Sequence, residues 1–567
     1  MAARDLVAAM TPSWEQAIYL FLGIWSVWFV GLSIQRLWLS PLAHIPGPKL
    51  AALTRLYELY YDIILGGQYT FKISDLHQKY GPVVRISPSE VHVKAHDFHS
   101  ELYASPIRPR ATWNFWTRQF GAPYNDLATI DHNHHELRRN TPNNFSSNQQ
   151  ACNLQSVIEE RVDALLHAFA RYSNDVPGVP LNLMYPFSAF ANDVINEYAF
   201  ARSDRLIEKS DFGAQVTDSL LMGTRMGPIV KHANWALTFV NILPESLSGR
   251  LAPGWSGFLK MQHDILAQIQ EIKASEKTEK WRLYIDHPTI FHELLSSAEL
   301  PPEEKTSARL AQEGQILLQG GTLTTSWTIS LAAFHLVNKP STLRKLRDEL
   351  FAAFPDPAEA MPLAKLENLP YLRAVVKESL RHGIGTSGRL ARISPDETLV
   401  YEDAESGKEW TFRPGTVISM SPYMTVMDKS IFDDPLGFHP ERWLEEGETL
   451  DKYLDIWGGG TRGCLGRSLA YAELYLMLAK LFRRWGGAGV VDGSNEGDRR
   501  LGDVGYLKIF ETTTRDCEMA SNHFIPISHK VSCLSSRVLA RMRCADHDAT
   551  GQQRITVPPR SLLAEQR

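Results

Sequence analysis

A thiol at the head of a strongly helical segment is the most chemically suggestive feature of this chain of 567 residues. The window reads Trp457-Gly458-Gly459-Gly460-Thr461-Arg462-Gly463-Cys464-Leu465-Gly466. Behind it, Leu465, Leu469, Ala472, Leu476 and Ala479 recur at alternating spacings of four and three, which lays them on one apolar helix face. Cys464 is therefore expected at a helix N-terminus, where the macrodipole and free backbone N–H groups favour the thiolate, the form that ligates iron. Gly460 and Gly466 permit turns and close approach to a flat ligand, and Arg462 offers a cation to an anionic group on it. Two other readings compete. Gly458-x-Gly460-x-x-Gly463 matches a dinucleotide fingerprint, which needs a preceding strand in a βαβ unit. An ordinary buried cysteine after a turn is the other.

Further reactive residue types lie upstream. Glu378 and Arg381 stand three apart in Tyr371-Leu-Arg-Ala-Val-Val-Lys-Glu-Ser-Leu-Arg381, a spacing that puts carboxylate and guanidinium on one helix face. Arg442 follows in Phe438-His-Pro-Glu-Arg-Trp443, and Arg389 and Arg392 lie between the two. Asp131-His-Asn-His134-His135-Glu-Leu-Arg138-Arg139 brings three histidines close together, but not at HExxH spacing, and no second ligand cluster accompanies them. His135 and Arg139, four apart, share a helix face. Gly320-Gly321-Thr322-Leu323-Thr324-Thr325 interrupts an otherwise helical stretch. Paired glycines weaken a helix interior and Ser or Thr hydroxyls bond back to its carbonyls, so a local kink is expected, or simply a crossing of packed helices.

In their order and spacing these motifs resemble cytochrome P450 haem-thiolate monooxygenases, whose haem loop is written F-x-x-G-x-R-x-C-x-G. The resemblance implies that Cys464 is the iron ligand and that Trp457, in place of the usual Phe, covers its sulfur. It implies that His135, Arg139, Arg392 and Arg462 contact haem propionates, with Gly466 close to the macrocycle. Arg392 is preferred to Arg389, in a register one residue off that of many relatives. Glu378, Arg381 and Arg442 would form a buried ion network that orders the haem loop. Thr324, with Thr325, would help to deliver protons, although Leu323 stands where the family carries an acid and cannot relay one. Ile45-Pro-Gly-Pro-Lys-Leu-Ala-Ala-Leu, Tyr80-Gly-Pro-Val-Val-Arg-Ile-Ser-Pro and Ala128-Thr-Ile-Asp-His are similar to fungal trichodiene-oxygenase-like members. That likeness implies a mainly α fold with a small β region, haem b, and NADPH-derived electrons from a separate cytochrome P450 reductase, with cytochrome b5 as an optional donor. A terpenoid or other polycyclic metabolite is the implied substrate. Leu323 keeps open an NADPH-independent haem-thiolate isomerase or dehydratase; a non-catalytic haem-binding protein is the third reading.

The elements that must position these groups are preceded by an anchor. Residues 17–39 read AIYLFLGIWSVWFVGLSIQRLWL, long enough to span a bilayer and too bulky for a signal-peptide cleavage site. Arg36, Lys49 and Arg55 follow the span, whereas Arg4 before it is offset by Asp5 and Glu15, so the body is expected on the cytosolic side of the endoplasmic reticulum membrane. Residues 1–16 precede the anchor, and 40–50, with Pro46 and Pro48, form a stiff hinge. A single catalytic domain is expected over 51–537, and a polar, poorly ordered tail over 538–567. On a cytosolic body the sequon Asn144-Phe145-Ser146 is not expected to be modified. A net charge of -5 without a basic block argues against nucleic acid as partner, and five scattered cysteines argue against a disulfide framework. Substrate contacts are expected near Trp113 to Trp116, Leu220 to Met222, Leu317 to Gln319 and Ile384 to Ser387.

Overall fold

The axis of the molecule is a helix of 32 residues, Ser307–Asn338, which at about 1.5 Å per residue runs roughly 48 Å. Its length follows from composition: 21 of its residues are buried, all round the helix rather than on one stripe, as befits a helix enclosed by others. The computed structural model describes residues 14–104, 107–143, 147–176, 179–235, 255–276, 289–487, 500–528 and 539–544.

Eleven helices of twelve residues or more are described. They are α1 (Trp14–Ile34), α2 (Tyr69–Tyr80), α3 (His132–Asn143), α4 (Gln155–Asp175), α5 (Met184–Phe200) and α6 (Ala214–His232), then α7 (Trp255–Glu276), α8 (Ser307–Asn338), α9 (Pro340–Ala353), α10 (Pro370–Gly383) and α11 (Arg467–Arg484). α8 packs against α5, α7, α10 and α11. Glycines set the close crossings: a Cβ on Gly321 would lie 2.8 Å from Ile195 of α5, and one on Gly383 of α10 would lie 2.5 Å from the Thr328 hydroxyl of α8. α8 stays α-helical throughout, the expected kink region included. Hydroxyls of Thr324, Ser326, Thr328 and Ser330 donate to the carbonyls of Gly320, Thr322, Thr324 and Ser326 at 2.6–2.9 Å.

The β structure is small and set to one side. One sheet has the order β1 (Val83–Arg85), β2 (Glu90–Val93), β7 (Val417–Met420), β4 (Leu390–Ile393), with β2 and β7 parallel and the other neighbours antiparallel. A second runs β3 (Leu181–Asn182), β12 (Leu539–Cys544), β9 (Gly505–Phe510), β8 (Trp485–Gly487). Two hairpins, β5–β6 (Leu399–Asp403, Lys408–Phe412) and β10–β11 (Met519–His523, Ile525–Ser528), stand apart. Val83, Val91, Leu390, Ile418 and Met420 form the core of the first sheet, separate from the main helical core. In the segment 538–567, expected to be poorly ordered, β12 is described; residues 545–567 lie outside the described residues, as do the sequon and residues 1–13.

α1 continues through one wide turn, Gln35–Leu39, and the whole of Trp14–Leu39 is long and apolar enough to cross a membrane; no residue of Trp14–Ile34 is buried, whereas the wide turn meets the body through Arg36. The following link is held, not loose. Arg85 donates to the carbonyls of Arg36 (2.8 Å) and Pro46 (2.7 Å), and Gly47 lies so close to Arg85 that a Cβ would sit 2.3 Å from its carbonyl oxygen.

Candidate active site

α8 and α11 enclose a cavity of about 300 Å³ whose floor is the loop before α11. The loop is built from glycines for identifiable reasons. Gly458 and Gly460 take φ of +65° and +63°, and a Cβ on Gly460 would meet the Ala104 carbonyl oxygen at 2.2 Å. No strand precedes them; the chain enters through a tight turn, Asp455–Trp457, which removes the dinucleotide reading. Gly460→Ala is expected to cost about 1–3 kcal/mol through backbone strain and the displaced Ala104 segment. A thermal midpoint equal to that of the wild type would contradict this.

Cys464 follows with its N–H bonded to the Trp457 carbonyl at 2.8 Å. α11 begins at Arg467, so the thiol precedes the first helical turn rather than lying within it. It lies deep in the molecule, and its exposed surface opens on the cavity rather than on bulk solvent. Burial pushes the thiol upward, while the Gly466 N–H and the charges of Arg139 and Arg467 favour the thiolate. A bound metal ion would complete the deprotonation. Gly466 has nothing of the protein within 4 Å of where a Cβ would stand. The space beside it is therefore left open to the cavity.

One edge of this space is positively charged beyond what the protein neutralises. His135, Arg139, Arg392 and Arg462 all line it. Arg139 pairs with Asp126 at 2.9 Å and also donates to the Gly463 carbonyl. Burial raises the Asp126 carboxyl, but Arg139, His135 and the hydrogen bond with Glu313 together outweigh it and hold the group at about 2. Arg392 and Arg462 have no carboxylate within salt-bridge distance among the described residues. Arg392 donates to the Ala391 carbonyl, Arg462 to those of Arg110 and Ile130, and Arg462 Nη1 and His135 Nδ1 are buried without a partner. Burial and the neighbouring Arg392 pull the Arg462 guanidinium down to about 9, and burial with Arg462 brings the His135 imidazole to about 3. Crowded guanidinium groups with unused donors call for an anionic partner. Arg389, the alternative to Arg392, is spent elsewhere, on Glu90 at 2.7 Å and on Glu58.

Opposite the thiol, Gly320, Thr324 and Thr325 of α8 line the cavity. Nothing lies within 4 Å of a Cβ at Gly320. The glycine pair is thus divided: Gly321 serves the helix crossing and Gly320 keeps the space open. Leu323 also lines the cavity and is buried. Sequence reasoning missed the acid that reaches the same space from the other helix. Glu473 of α11 is fully buried, hydrogen-bonded to Thr325, with Oε1 unpartnered, and burial pushes its carboxyl well above the usual range. Its signal was present as a carboxylate within Leu469-Ala-Tyr-Ala-Glu-Leu-Tyr-Leu476.

The remaining residues lie where their types suggest. Trp457 lines the cavity and packs on Tyr471. Glu378 and Arg381 pair at 2.9 Å away from the cavity, and Arg442 reaches Glu378 at 3.4 Å. The Trp443 indole N–H and the His439 backbone N–H also donate to Glu378. The clustered histidines do not converge: His134 bonds Glu304 and His135 faces the cavity. Of the windows expected to meet substrate, Trp116, Leu317, Gln319, Gly385 and Thr386 line the cavity. Leu220 and Leu221 are buried in the core, and the next turn of α6, at Gly223, Thr224 and Gly227, lines the cavity instead. Phe120, Ile195 and the hairpin tip His523 to Ile525 were not anticipated.

A thiol lining a cavity with an unneutralised cationic rim fits iron protoporphyrin: the rim suits its two propionates and the open space beside Gly466 suits the macrocycle. These features define a haem-thiolate protein. The chain belongs to the cytochrome P450 family, whose profile, described as Cytochrome P450, matches residues 53–486. It is 40% identical over 500 residues to "Cytochrome P450 monooxygenase tpcC" of Cochliobolus heterostrophus, covering 88% of this chain and 93% of that protein. Over 494 residues it is 37% identical to "Cytochrome P450 monooxygenase astB" of Talaromyces wortmannii, covering 87% and 91% of the two. It is also 37% identical over 541 residues to "N-acetyltryptophan 6-hydroxylase ivoC" of Emericella nidulans, covering 93% and 97%. The enzyme is thus a cytochrome P450 monooxygenase, and the family implies a haem cofactor and a redox partner.

Proposed function

We propose that this enzyme inserts one oxygen atom from O2 into an apolar polycyclic metabolite, terpenoid or aromatic, by hydroxylation or epoxidation. Its electrons come from NADPH through a separate reductase, with cytochrome b5 as an optional donor. The observation that carries this reading is the meeting of Cys464 and the hydroxyls of Thr324 and Thr325 across one cavity. Cys464 would hold the haem iron, with Arg392, Arg462 and His135 on the propionates and Arg139 steadied by Asp126 beside them. Haem ligated by a thiolate supplies the electron push that favours O–O cleavage. Trp457 shields the sulfur from water. α1 would anchor the enzyme by a single span in the endoplasmic reticulum membrane, with the catalytic domain in the cytosol.

Protons must reach the cavity without an acid at position 323. The Thr324 hydroxyl gives its own proton to the Gly320 carbonyl at 2.6 Å, which leaves its oxygen lone pairs to accept from water or substrate. Thr325 is bonded to Glu473, whose carboxyl burial pushes well above its usual range, toward the protonated form. Glu473 would therefore be the proton donor that Leu323 cannot be. This weakens the case for an NADPH-independent isomerase, which rested on Leu323.

The test uses full-length protein in phospholipid vesicles with a cytochrome P450 reductase, measuring product against NADPH and O2 consumed. Product formed without NADPH would overturn the monooxygenase reading. Glu473→Gln is expected to leave NADPH oxidation running while product per NADPH falls roughly 10²-fold and peroxide rises. Because the Glu473 carboxyl is raised, wild-type coupling should be highest at low pH and fall as pH rises and the proton is lost, whereas the Gln variant should show no such dependence. Unchanged coupling in the variant would remove Glu473 from the route.

A further inference from the structure

We propose that the substrate is an aromatic metabolite, its ring packed edge-to-face against a clamp of Trp116, Phe120 and Phe524 and a polar substituent bonded to the Gln319 carboxamide. This rests on the haem-thiolate reading above and names the substrate class within it.

The three rings line the cavity together. Phe120 and Phe524 lie 4.9 Å apart at 86°, Trp116 and Phe120 5.2 Å apart at 78°, and Trp116 and Phe524 6.1 Å apart at 68°. Each ring thus meets its neighbours edge to face, the arrangement that the aromatic quadrupole favours. A further aromatic ring can extend this pattern, at roughly two- to tenfold in affinity per ring pair beyond area burial, whereas a saturated skeleton gains area alone.

The clamp is also held more firmly than packing requires. Phe524 adopts φ of +76°, in a region that side chains larger than glycine rarely occupy. Its N–H donates to Asn522 Oδ1 at 2.9 Å, and its carbonyl accepts from the Ser387 and Gly388 N–H groups at 3.0 and 3.3 Å. Asn522 is itself fixed by the Ser387 hydroxyl at 2.9 Å and by Thr70 at 2.5 Å. The Trp116 indole N–H donates to the Arg389 carbonyl at 2.7 Å, which sets that ring. Strain of this kind persists where surrounding bonds over-determine it, and it clusters at ligand clamps. Gln319, on the α8 wall of the same cavity, is half-buried and makes no hydrogen bond to the described protein. A carboxamide in a mainly apolar cavity gains from a polar ligand group.

Three probes of one skeleton separate the contributions: 2-naphthol, naphthalene, and 2-decalol, the saturated counterpart of 2-naphthol. Each is titrated into full-length holoprotein and followed by the shift of the Soret band. Wild type is expected to bind 2-naphthol at least about tenfold more tightly than 2-decalol. Phe524→Leu and, separately, Phe120→Leu should shrink that ratio to roughly threefold or less by weakening 2-naphthol alone. Gln319→Leu should bring 2-naphthol down to the affinity of naphthalene. A wild-type ratio near one, or variants that weaken both alcohols alike, would overturn the proposal. The reduced carbon-monoxide spectrum of each sample separates the two readings. A missing thiolate band in wild type defeats the haem-thiolate reading, whereas an intact band with a ratio near one defeats the aromatic substrate alone.

Discussion

Cys464→Ala is expected to abolish the thiolate-diagnostic Soret band of the reduced carbon-monoxide complex and, with it, NADPH-dependent product formation. The effect should exceed the roughly 10–100-fold that loss of an outer-shell partner costs at a metal site, because the ligand itself is removed. The thiol is the only sulfur that lines the cavity among the described residues, so no other thiolate can take its place. The loop should survive. The Cys464 N–H to Trp457 carbonyl bond and the glycine turns do not involve the side chain. The variant is therefore expected to keep its thermal midpoint in the haem-free comparison while losing the band. A variant that retained the band would show that another group ligates the iron.

The second large effect belongs to a residue outside the cavity. Glu378 is wholly buried and accepts from Arg381 at 2.9 and 3.0 Å, from the Trp443 indole at 2.8 Å and from the His439 N–H at 2.9 Å. Arg381 in turn bonds the carbonyls of Val426, Pro435 and Gly437, so the pair ties α10 to the strandless segment leading to the cysteine loop. Glu378→Gln would leave the Arg381 guanidinium buried without a counter-charge, at about 3–5 kcal/mol. Burial opposes the ionised carboxylate, yet Arg381 and His382, by charge and hydrogen bonding together, outweigh it and hold the group well below its ordinary range. The sign follows. A carboxyl lowered in the folded state contributes stability that is present above its unfolded value, about 4.3, and is lost as pH falls below it. The acid limb of stability should therefore flatten in the variant. Because Glu378 does not line the cavity, the fraction that remains folded should still show the thiolate band; an unchanged midpoint and acid limb would contradict the role.

Different parts of the molecule were legible in the sequence to different degrees. The cysteine loop, the Glu378–Arg381 spacing and the apolar face of α11 were readable because each is a local pattern, set by turn chemistry and by the helical repeat of 3.6 residues. His135 and Arg139 were readable as a pair for the same reason, but not the division of labour between them and Arg392. Arg139 is neutralised by Asp126, and that follows only from where residues 126 and 139 meet. On α6 the helix was placed near the cavity but the turn was not, since rotation of a helix about its axis is decided by what packs on either side.

By itself, then, the sequence determined an apolar N-terminal helix long enough to cross a membrane, the glycine-rich loop that carries Cys464, and membership of the cytochrome P450 family. The tertiary structure alone decided which groups share the cavity with Cys464. Glu473 meets Thr325 because two helices far apart in the chain pack together, and Phe524 meets Phe120 because a late hairpin folds back beside an early loop. Such meetings depend on packing between distant segments rather than on the spacing within any one of them.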